Sequence, residues 1–553
     1  MNKKVRSFPI LFALLALLIG TCAVVFPASA QAAPTSTGSI TVSGTVASRY
    51  DAYQIFSANV VDGDSDAKIA TDLAWASDAV RDAALPVLHS AGMPNSQTTA
   101  QEAAEWLNTD SHLTSALSAQ LARSLQSSGA RPAALNAGTT AELPCGYWLI
   151  VADDDAIAQD EAGTAPIMAL VGGSAVTVKP KAATPKVKKH VLEDSTAAWQ
   201  KAADATVADD LYWRLSATVP AGLTAYDTYT VKFVDTMSAG LDPSKVAASM
   251  RVYVAAGADG GFDAVSCEGG SASSTPAKGW TDITSQCRVS VEGKAFTVRT
   301  GDLIAALGGA DAFTAGARVV AVYNAPLNSA CNHGIAKGNP NEVYLRYPRS
   351  PFADQSGDAG FTRTPSDDAC AYTWDLALTK RGSDGDKPLA GAVLSIADDR
   401  GRTLAADGTW DAEGKATVTT GEDGRVTVSG VDSGKLEVRE LKAPKGYTAF
   451  EGTRSVTVKA EGLDVDQVAA AKPKLTITAE SPLRADSADG STGSLEASLI
   501  NTPTGTPPSI TTGGFMPSTG DMAMYAAAAA AVAGAALIVV ALLVKRGGGS
   551  HKE

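Results

Sequence analysis

Two sets of three polar residues recur along the chain in the same order: a lysine, an acid and an asparagine. The first set is Lys189, Asp235 and Asn341, and the second is Lys380, Glu440 and Asn501. Each residue lies in a strand-like segment whose other alternate positions hold Val, Leu, Ala or Phe, and alternate side chains of a strand share a face. Burying such polar groups is costly unless they meet. The pattern predicts two buried clusters, each able to form either a plain salt bridge beside an asparagine or a reactive site.

These residue types permit one specific reaction. Burial disfavours charge, so it lowers the pKa of a lysine and raises the pKa of a carboxyl group. The neutral amine can then attack the asparagine side-chain carbonyl carbon, while protonated Asp235 or Glu440 polarises the carbonyl and moves protons. Ammonia leaves and an isopeptide bond remains. The reaction happens once per molecule and needs no cofactor, so the chain is a self-modifying protein and not an enzyme.

Alternating segments bounded by turn residues predict a mainly β fold of tandem immunoglobulin-like β-sandwich domains. The N-terminal domain also contains helix, since Thr99 and Glu102 have the spacing of a capping box. The predicted organisation is a signal peptide (1–30), an N-terminal domain (31–180), a middle isopeptide-forming domain (181–370), a C-terminal domain (371–505), a linker (506–515), a sorting motif (516–520), and a transmembrane anchor with a basic tail (521–553).

Both chain ends carry export signals. A basic start, an apolar run and "FPASAQAAP" predict a cleaved secretory signal, with a lipid-modified Cys22 as the less favoured alternative. Near the other end, an apolar stretch of about 20 residues precedes Lys545 and Arg546, as in a single transmembrane helix with a cytoplasmic tail. The body of the protein is therefore expected outside the cell.

The five residues before that stretch are Met516, Pro517, Ser518, Thr519 and Gly520. They resemble the LPxTG sorting signal of Gram-positive surface proteins, with Met516 in place of the usual leucine. In those proteins sortase cuts between threonine and glycine and joins the threonine carboxyl to an amine. The resemblance implies cleavage between Thr519 and Gly520 and covalent attachment at the cell wall.

Composition and cysteine content fit an extracellular protein. The net charge of −13 argues against nucleic-acid binding. Cys267 and Cys287 flank a polar loop, and Cys331 and Cys370 lie near the end of the middle domain, so each pair is predicted to form a disulfide and Cys145 to stay free. Neither Cys-x-x-Cys nor His-x-x-x-His spacing occurs, so no metal site is expected.

Longer motifs resemble the sortase-assembled shaft pilins of Gram-positive bacteria over essentially the whole mature chain. "GKLEVRELKAPKGYTAF" resembles the E-box of pilin and collagen-adhesin B-type domains, which implies that Glu440 catalyses the isopeptide bond. "YTVKFVDTMSAGL" and "NEVYLRY" resemble the shaft pilins' middle domain, which implies that Asp235 is the catalytic acid and Asn341 the amide that is joined to the lysine. "RYDAYQIF" is similar to the opening of their first domain. "VKPK" stands where those pilins have "VYPK", so Lys181 is implied as the lysine that sortase links, with Lys179 as its rival.

The resemblance implies a structural shaft subunit of a covalent surface fimbria, linked from Thr519 to Lys181. Its expected partners are further copies of itself and a pilus-specific sortase, while tip or base pilins and a host surface ligand stay open. A monomeric wall-anchored adhesin or an accessory pilin is the alternative, and it predicts a single band instead of a ladder in wall extracts. An anchored hydrolase is disfavoured because the chain lacks a Gly-x-Ser-x-Gly motif and grouped histidines.

Overall fold

The computed structural model describes residues 36–505 except 65–66, 110, 159, 181–183, 222, 258–266, 269–270 and 273–277, and it leaves out the side chains of 258–277. Strands predominate among these residues, which confirms the predicted fold class. The predicted signal peptide, linker, sorting motif and membrane span lie outside the described residues. Within the described part of the chain, no helix is long and apolar enough to cross a membrane.

The first group of elements combines two sheets with three helices. Its elements are β1 Thr37–Val42, β2 Arg49–Asp62, β3 Lys68–Trp75, α1 Asp78–Ser90, α2 Ala100–Asn108, α3 Ser115–Ser127, β4 Ala133–Asn136, β5 Thr140–Pro144, β6 Gly146–Ala152, β7 Ile167–Val171 and β8 Val176–Val178. One sheet has the order β5-β1-β8, and the other has the order β3-β2-β6-β7 with β4 on β2. Thr99 caps α2 in a capping box with Glu102, as predicted.

The second group of elements forms a sandwich of two large sheets. Its elements are β9 Val187–Glu193, β10 Ala198–Gln200, β11 Ala202–Asp204, β12 Tyr212–Thr218, β13 Lys232–Met237, α4 Val246–Ser249, β14 Arg251–Ala255, β15 Cys267–Glu268, β16 Ser271–Ala272, β17 Thr281–Asp282, β18 Arg288–Glu292, β19 Ala295–Arg299, α5 Leu303–Ala306, β20 Arg318–Asn324, β21 Asn339–Pro348, β22 Phe361–Arg363 and β23 Asp367–Tyr372.

The strand orders of that sandwich are β10-β9-β12-β20-β14-β17 in one sheet and β11-β23-β21-β13-β19-β18 in the other, with β22 on β21. The inward faces of both sheets supply one continuous apolar core, which includes Trp213, Phe233 and Leu345. Burial of this core removes apolar surface from water and holds the two sheets together. A polar group on an inward face is costly unless it meets a hydrogen-bonding partner.

The third group of elements is all strand. Its elements are β24 Trp374–Gly382, β25 Val393–Ala397, β26 Thr403–Leu404, β27 Trp410–Asp411, β28 Val418–Thr419, β29 Arg425–Val431, β30 Gly434–Lys442, β31 Tyr447–Thr448, β32 Thr453–Glu461, β33 Lys474–Ala479, β34 Leu483–Asp489 and β35 Ser494–Pro503. One sheet has the order β29-β24-β35-β31 with β34 on β35. The facing sheet has the order β27-β26-β25-β30-β32-β33 with β28 on β25.

The second and third groups meet through polar contacts. Asp204 accepts hydrogen bonds from the Trp374 indole at 2.6 Å and from the Ser433 amide at 2.9 Å. The Asp209 carboxylate accepts from Arg400 at 2.9 Å and from Arg402 at 2.8 Å. Several acids therefore lie at this junction, with two arginines as counter-charges.

Two buried lysine–carboxyl–asparagine clusters

Strand alternation puts the first predicted set into the core of the second group. Lys189 on β9, Asp235 on β13 and Asn341 on β21 are each 0% exposed, so the prediction that they are buried is confirmed. β9 belongs to one sheet, whereas β13 and β21 are neighbours in the facing sheet. The cluster therefore spans the space between the two sheets.

The register of β13 and β21 brings the acid and the amide together. Asp235 lies opposite Val343, and Met237 lies opposite Asn341. Asp235 and Asn341 are thus diagonal neighbours on the same face, with Cβ atoms about 7 Å apart. The backbone amide of Lys189 donates a hydrogen bond to Asp367 on β23, which fixes its strand against the facing sheet.

A fourth side chain completes the first cluster. The Lys189 ammonium contacts the Asp235 carboxylate and donates a hydrogen bond to the Tyr323 hydroxyl at 2.9 Å. The Asn341 amide donates to the same hydroxyl at 2.8 Å, and the hydroxyl donates to Asp235 Oδ2 at 3.1 Å. Tyr323 was not predicted from the sequence, although Val319, Ala321 and Tyr323 alternate on one face of "RVVAVYN".

The surroundings of the first cluster push its groups towards their neutral forms. Burial lowers the pKa of Lys189 to about 8, even though the neighbouring Asp235 opposes that change. Burial also raises the pKa of Asp235, against the opposing effect of Lys189. The Trp213 ring lies 5.5 Å from the lysine nitrogen, and the Phe296 ring packs edge-on against Tyr323 with centroids 4.7 Å apart. A proton can therefore pass from the lysine to the aspartate at modest cost.

The second predicted set also meets in a core. Lys380 lies on β24 and Asn501 on the adjacent parallel strand β35, where Lys380 is opposite Leu499 and Gly382 is opposite Asn501. Glu440 lies on β30 of the facing sheet. Residue exposures are 0%, 2% and 6% for Lys380, Asn501 and Glu440, so their predicted burial is confirmed as well.

The chain after Glu440 folds back over the cluster. Tyr447 and Thr448 form β31, which pairs with the end of β35 just beyond Asn501. This crossing from one sheet to the other places the Phe450 amide where it donates to Glu440 Oε2 at 3.1 Å. The "APKGY" segment thus holds the carboxylate against the asparagine strand.

Direct contacts join the acid and the amide in the second cluster. The Asn501 amide donates to both carboxylate oxygens of Glu440, at 2.8 and 3.0 Å. Lys380 Nζ lies 3.5 Å from Glu440 Oε1 and donates to the Leu499 carbonyl at 3.3 Å. Burial lowers the pKa of Lys380 to about 8. A lysine whose proton is more easily lost than usual, an amide and a carboxyl group therefore lie close together.

The backbone beside Lys380 is held by a glycine. Gly424 has φ +72°, a conformation that glycine adopts without strain, and a Cβ there would lie 2.8 Å from the Lys380 carbonyl oxygen. The Lys380 amide donates to the Gly424 carbonyl at 2.8 Å. A larger residue at position 424 would push this strand away from the cluster.

Both asparagine carbonyl oxygens lack hydrogen-bond partners. Asn341 Oδ1 and Asn501 Oδ1 are buried without a donor, and so is Asp235 Oδ1. An unsatisfied buried oxygen is costly, and a protonated acid would supply the missing donor. Protonation of Asp235 would therefore satisfy the site and polarise the asparagine carbonyl towards attack.

The predicted Cys331–Cys370 disulfide is not formed. Cys331 and Cys370 carry free thiols, as does buried Cys145, which was predicted to be free. Cys331 Sγ lies 3.6 Å from His333 Nε2, and Cys370 Sγ lies 3.7 Å from the Ala371 carbonyl. The predicted Cys331–Cys370 disulfide is wrong because each thiol is directed at a local polar group.

The Cys267–Cys287 pairing stays a prediction, because the side chain of Cys267 lies outside the described residues. The Cys287 thiol donates to the Ile283 carbonyl at 3.3 Å. Among the described residues, no group of three or more His, Cys, Asp or Glu side chains is arranged to hold a metal ion.

The predicted linkage residues fall largely outside the described residues. Lys181 and the motif from Met516 to Gly520, with Thr519, are not described. Lys179, the rival acceptor, directly follows β8 and is exposed. The choice between these two lysines therefore stays a prediction.

Comparisons with known proteins agree with the C-terminal motif. Residues 375–472 match the family model described as the SpaA prealbumin-like fold domain. This segment contains Lys380 and Glu440 and ends before Asn501. The chain is also 30% identical over 143 residues to the trypsin-resistant surface T6 protein of Streptococcus pyogenes serotype M6. That alignment covers 24% of each protein, so the chain spans about a quarter of the curated relative.

Solved structures of two pilins overlap most of the chain. The T6 backbone pilin of serotype M6 Streptococcus pyogenes has 17% identity and a TM-score of 0.46, with 86% of this chain and 100% of that chain covered. The full-length major pilin SpaD of Corynebacterium diphtheriae has 15% identity and a TM-score of 0.41, with the same coverage of 86% and 100%.

Proposed function

We propose that this protein is the structural shaft subunit of a covalent surface fimbria on a Gram-positive bacterium. The observation that carries the proposal is the pair of buried Lys, acid and Asn clusters, one in each sandwich. The SpaA-type domain match and the resemblance of residues 516–520 to a sorting signal support the same conclusion. The protein acts as a building element and does not turn over a substrate.

Each cluster forms one internal isopeptide bond in this proposal. The lysine ammonium gives a proton to Asp235 or Glu440, and the free amine attacks the asparagine Cγ. The new C–N bond forms as the carbonyl electrons move to Oδ1. The asparagine nitrogen then takes a proton and leaves as ammonia, and the carbonyl re-forms. The proton on the leaving nitrogen comes from the lysine nitrogen, which loses a second proton when it becomes an amide. The products are a Lys189–Asn341 bond, a Lys380–Asn501 bond and two ammonia molecules, and each acid, which began as a carboxylate, ends protonated.

The positions of the two bonds suit a protein under tension. A pull between the two ends enters the middle sandwich at β9 and leaves it after β23. A bond from Lys189 to Asn341 lets the force bypass the strands between those residues. A bond from Lys380 to Asn501 does the same for the C-terminal sandwich, since it joins its first and last strands. Covalent bonds would then carry the load that hydrogen bonds between strands would otherwise carry.

Assembly requires one donor and one acceptor per subunit. In the proposal a pilus-specific sortase cuts after Thr519 and joins its carboxyl to Lys181 of the next copy. Such a head-to-tail contact propagates as a fibre instead of closing into a ring. Pro180 favours an extended backbone beside the acceptor, which suits an exposed segment that an enzyme must reach. The finished fibre would be anchored at the cell wall.

Wall extracts of a strain that carries Lys181→Ala test the assembly step. We expect the high-mass ladder to disappear while the single subunit remains, because the acceptor amine is gone. Lys179→Ala is the matched control and should leave the ladder intact. A ladder that persists in Lys181→Ala and vanishes in Lys179→Ala would move the linkage to Lys179. A single band from the unmodified chain would contradict the shaft function.

A further inference from the structure

The Tyr323 hydroxyl occupies the centre of the first cluster. It lies within hydrogen-bond distance of the attacking nitrogen of Lys189, the Asp235 carboxylate and the departing nitrogen of Asn341, at 2.9, 3.1 and 2.8 Å. Tyr323 is 0% exposed, so bulk water does not compete for these contacts. The sequence motifs that identify the two clusters give this residue no role.

The two clusters differ in how the acid reaches the amide nitrogen. In the second cluster the Asn501 nitrogen donates directly to both oxygens of Glu440. In the first cluster the acid is Asp235, one methylene shorter, and among the described residues no hydrogen bond joins it to Asn341. Tyr323 contacts both groups and fills that gap.

We propose that Tyr323 is a catalytic residue that relays the proton from Asp235 to the leaving nitrogen of Asn341. The inference rests on the proposed isopeptide reaction and adds a residue to it in the middle sandwich only. The C-terminal sandwich needs no relay because Glu440 touches its asparagine directly.

The relay conserves protons and electrons. Asp235 takes a proton from Lys189 Nζ, and the free amine adds to Asn341 Cγ. The Tyr323 O–H proton then moves to Asn341 Nδ2, and Asp235 passes its proton to the Tyr323 oxygen. The lysine nitrogen, now cationic, gives a second proton to Asp235. The Cγ–Nδ2 bond then breaks, its electron pair leaves with ammonia, and the carbonyl re-forms. Tyr323 and protonated Asp235 are both regenerated.

The strand register holds Tyr323 ready for this step. Tyr323 lies opposite Trp213 on the neighbouring strand, and its ring packs edge-on against Phe296. With the ring fixed, the hydroxyl proton can still turn about the C–O bond from Asp235 towards the amide nitrogen. Burial keeps the pKa of Tyr323 well above its usual value, so the hydroxyl stays protonated before the reaction.

The Tyr323→Phe variant of the full chain tests the relay. The chain is synthesised in a pulse, and mass spectrometry of proteolytic digests follows the Lys189–Asn341 and Lys380–Asn501 cross-linked peptides over time. We expect the first peptide to form roughly 100-fold more slowly, the scale of a lost acid–base group. The second peptide, formed in the same molecules, should appear at the unchanged rate.

Two further variants separate the relay from simple packing. Tyr344→Phe removes a hydroxyl from the Asn341 strand at a partly exposed position and should change neither rate. Asp235→Glu combined with Tyr323→Phe gives the acid the length of Glu440 and should recover part of the lost rate.

The outcomes distinguish the relay from the bond it serves. Normal kinetics of the Lys189–Asn341 peptide in Tyr323→Phe would overturn the relay and leave the isopeptide intact. Equal slowing of both peptides would also overturn it, since that result reports slow folding. Absence of the Lys189–Asn341 peptide from the unmodified chain would overturn the bond and the relay together.

Discussion

Replacing Glu440 with Gln should abolish the Lys380–Asn501 bond while preserving the shape of the site. Glutamine keeps hydrogen-bonding atoms beside Asn501 but cannot take the lysine proton or polarise the amide as an acid. The Glu440 side chain is fully buried and contacts Lys380, Asn501 and the Phe450 amide, so the substitution acts within this cluster. The variant should therefore retain one ammonia more than the unmodified chain.

The loss of stability follows from the size of the loop that the bond closes. Residues 380 to 501 enclose about 120 residues, and chain-entropy reasoning for disulfides gives about 5 kcal/mol for a loop of that size. With an unfolding entropy of about 2.1 cal/mol/K per residue over about 130 residues, that loss lowers the melting temperature of the C-terminal sandwich by roughly 20 °C. Lys380 also loses its counter-charge, which adds to the effect.

Calorimetry of the secreted chain measures the drop in melting temperature, and intact mass of the same sample measures the retained ammonia. Glu437→Gln is the matched control because Glu437 lies on the same strand with its side chain 47% exposed and paired with Lys435. It should keep the bond and shift stability by less than about 0.5 kcal/mol. A Glu440→Gln chain that still loses the second ammonia would refute the role of Glu440. Loss of the bond without a drop in melting temperature would refute the loop argument.

Three further predictions concern other parts of the molecule. Burial and the neighbouring Asp204 raise the pKa of Glu193 to about 7, and burial also raises the pKa of Asp432, so the folded junction binds protons that the unfolded chain has released. The contribution of these acids to stability should be fully present below about pH 4.5 and be lost as pH rises through 7. Denaturant unfolding at pH 5 and 8 measures this loss, and Glu193→Gln should reduce it. Burial raises the pKa of Cys331 and Cys370 to about 11, so both thiols should resist alkylation at pH 8 in the folded chain and react without reductant after denaturation, whereas a disulfide would block the second step. Asn341→Ala should let the middle sandwich extend further under force than in the unmodified chain, as measured by single-molecule pulling. An equal extension in the two chains would show that no bond shields the sandwich.

Alternation along single strands predicted the burial of both clusters because it depends only on neighbours two residues apart. Val187, Lys189 and Val191 share a buried face, as do Leu436, Val438 and Glu440. The recurrence of the same residue order in two domains then indicated that the polar groups meet. Strand periodicity and residue chemistry were sufficient for this part of the site.

Contacts that depend on how distant strands are arranged were not predictable in this way. Tyr323 meets Lys189 only because β12 lies between β20 and β9 in the sheet, an order that no local pattern records. The disulfide predictions relied on positions along the chain, which do not fix the direction of a thiol. The acids at the junction were missed for the same reason, since Asp204 and Asp432 come from different sandwiches.

Intact mass of the secreted chain shows whether the two isopeptide bonds form. Two Lys–Asn isopeptide bonds predict a mass below the sequence value by two molecules of ammonia, with Lys189 joined to Asn341 and Lys380 joined to Asn501 in the digested peptides. Lys189→Ala and Lys380→Ala should each restore one ammonia after correction for the substitution. A mass equal to the sequence value would show that both clusters are ordinary buried salt bridges and would contradict the account.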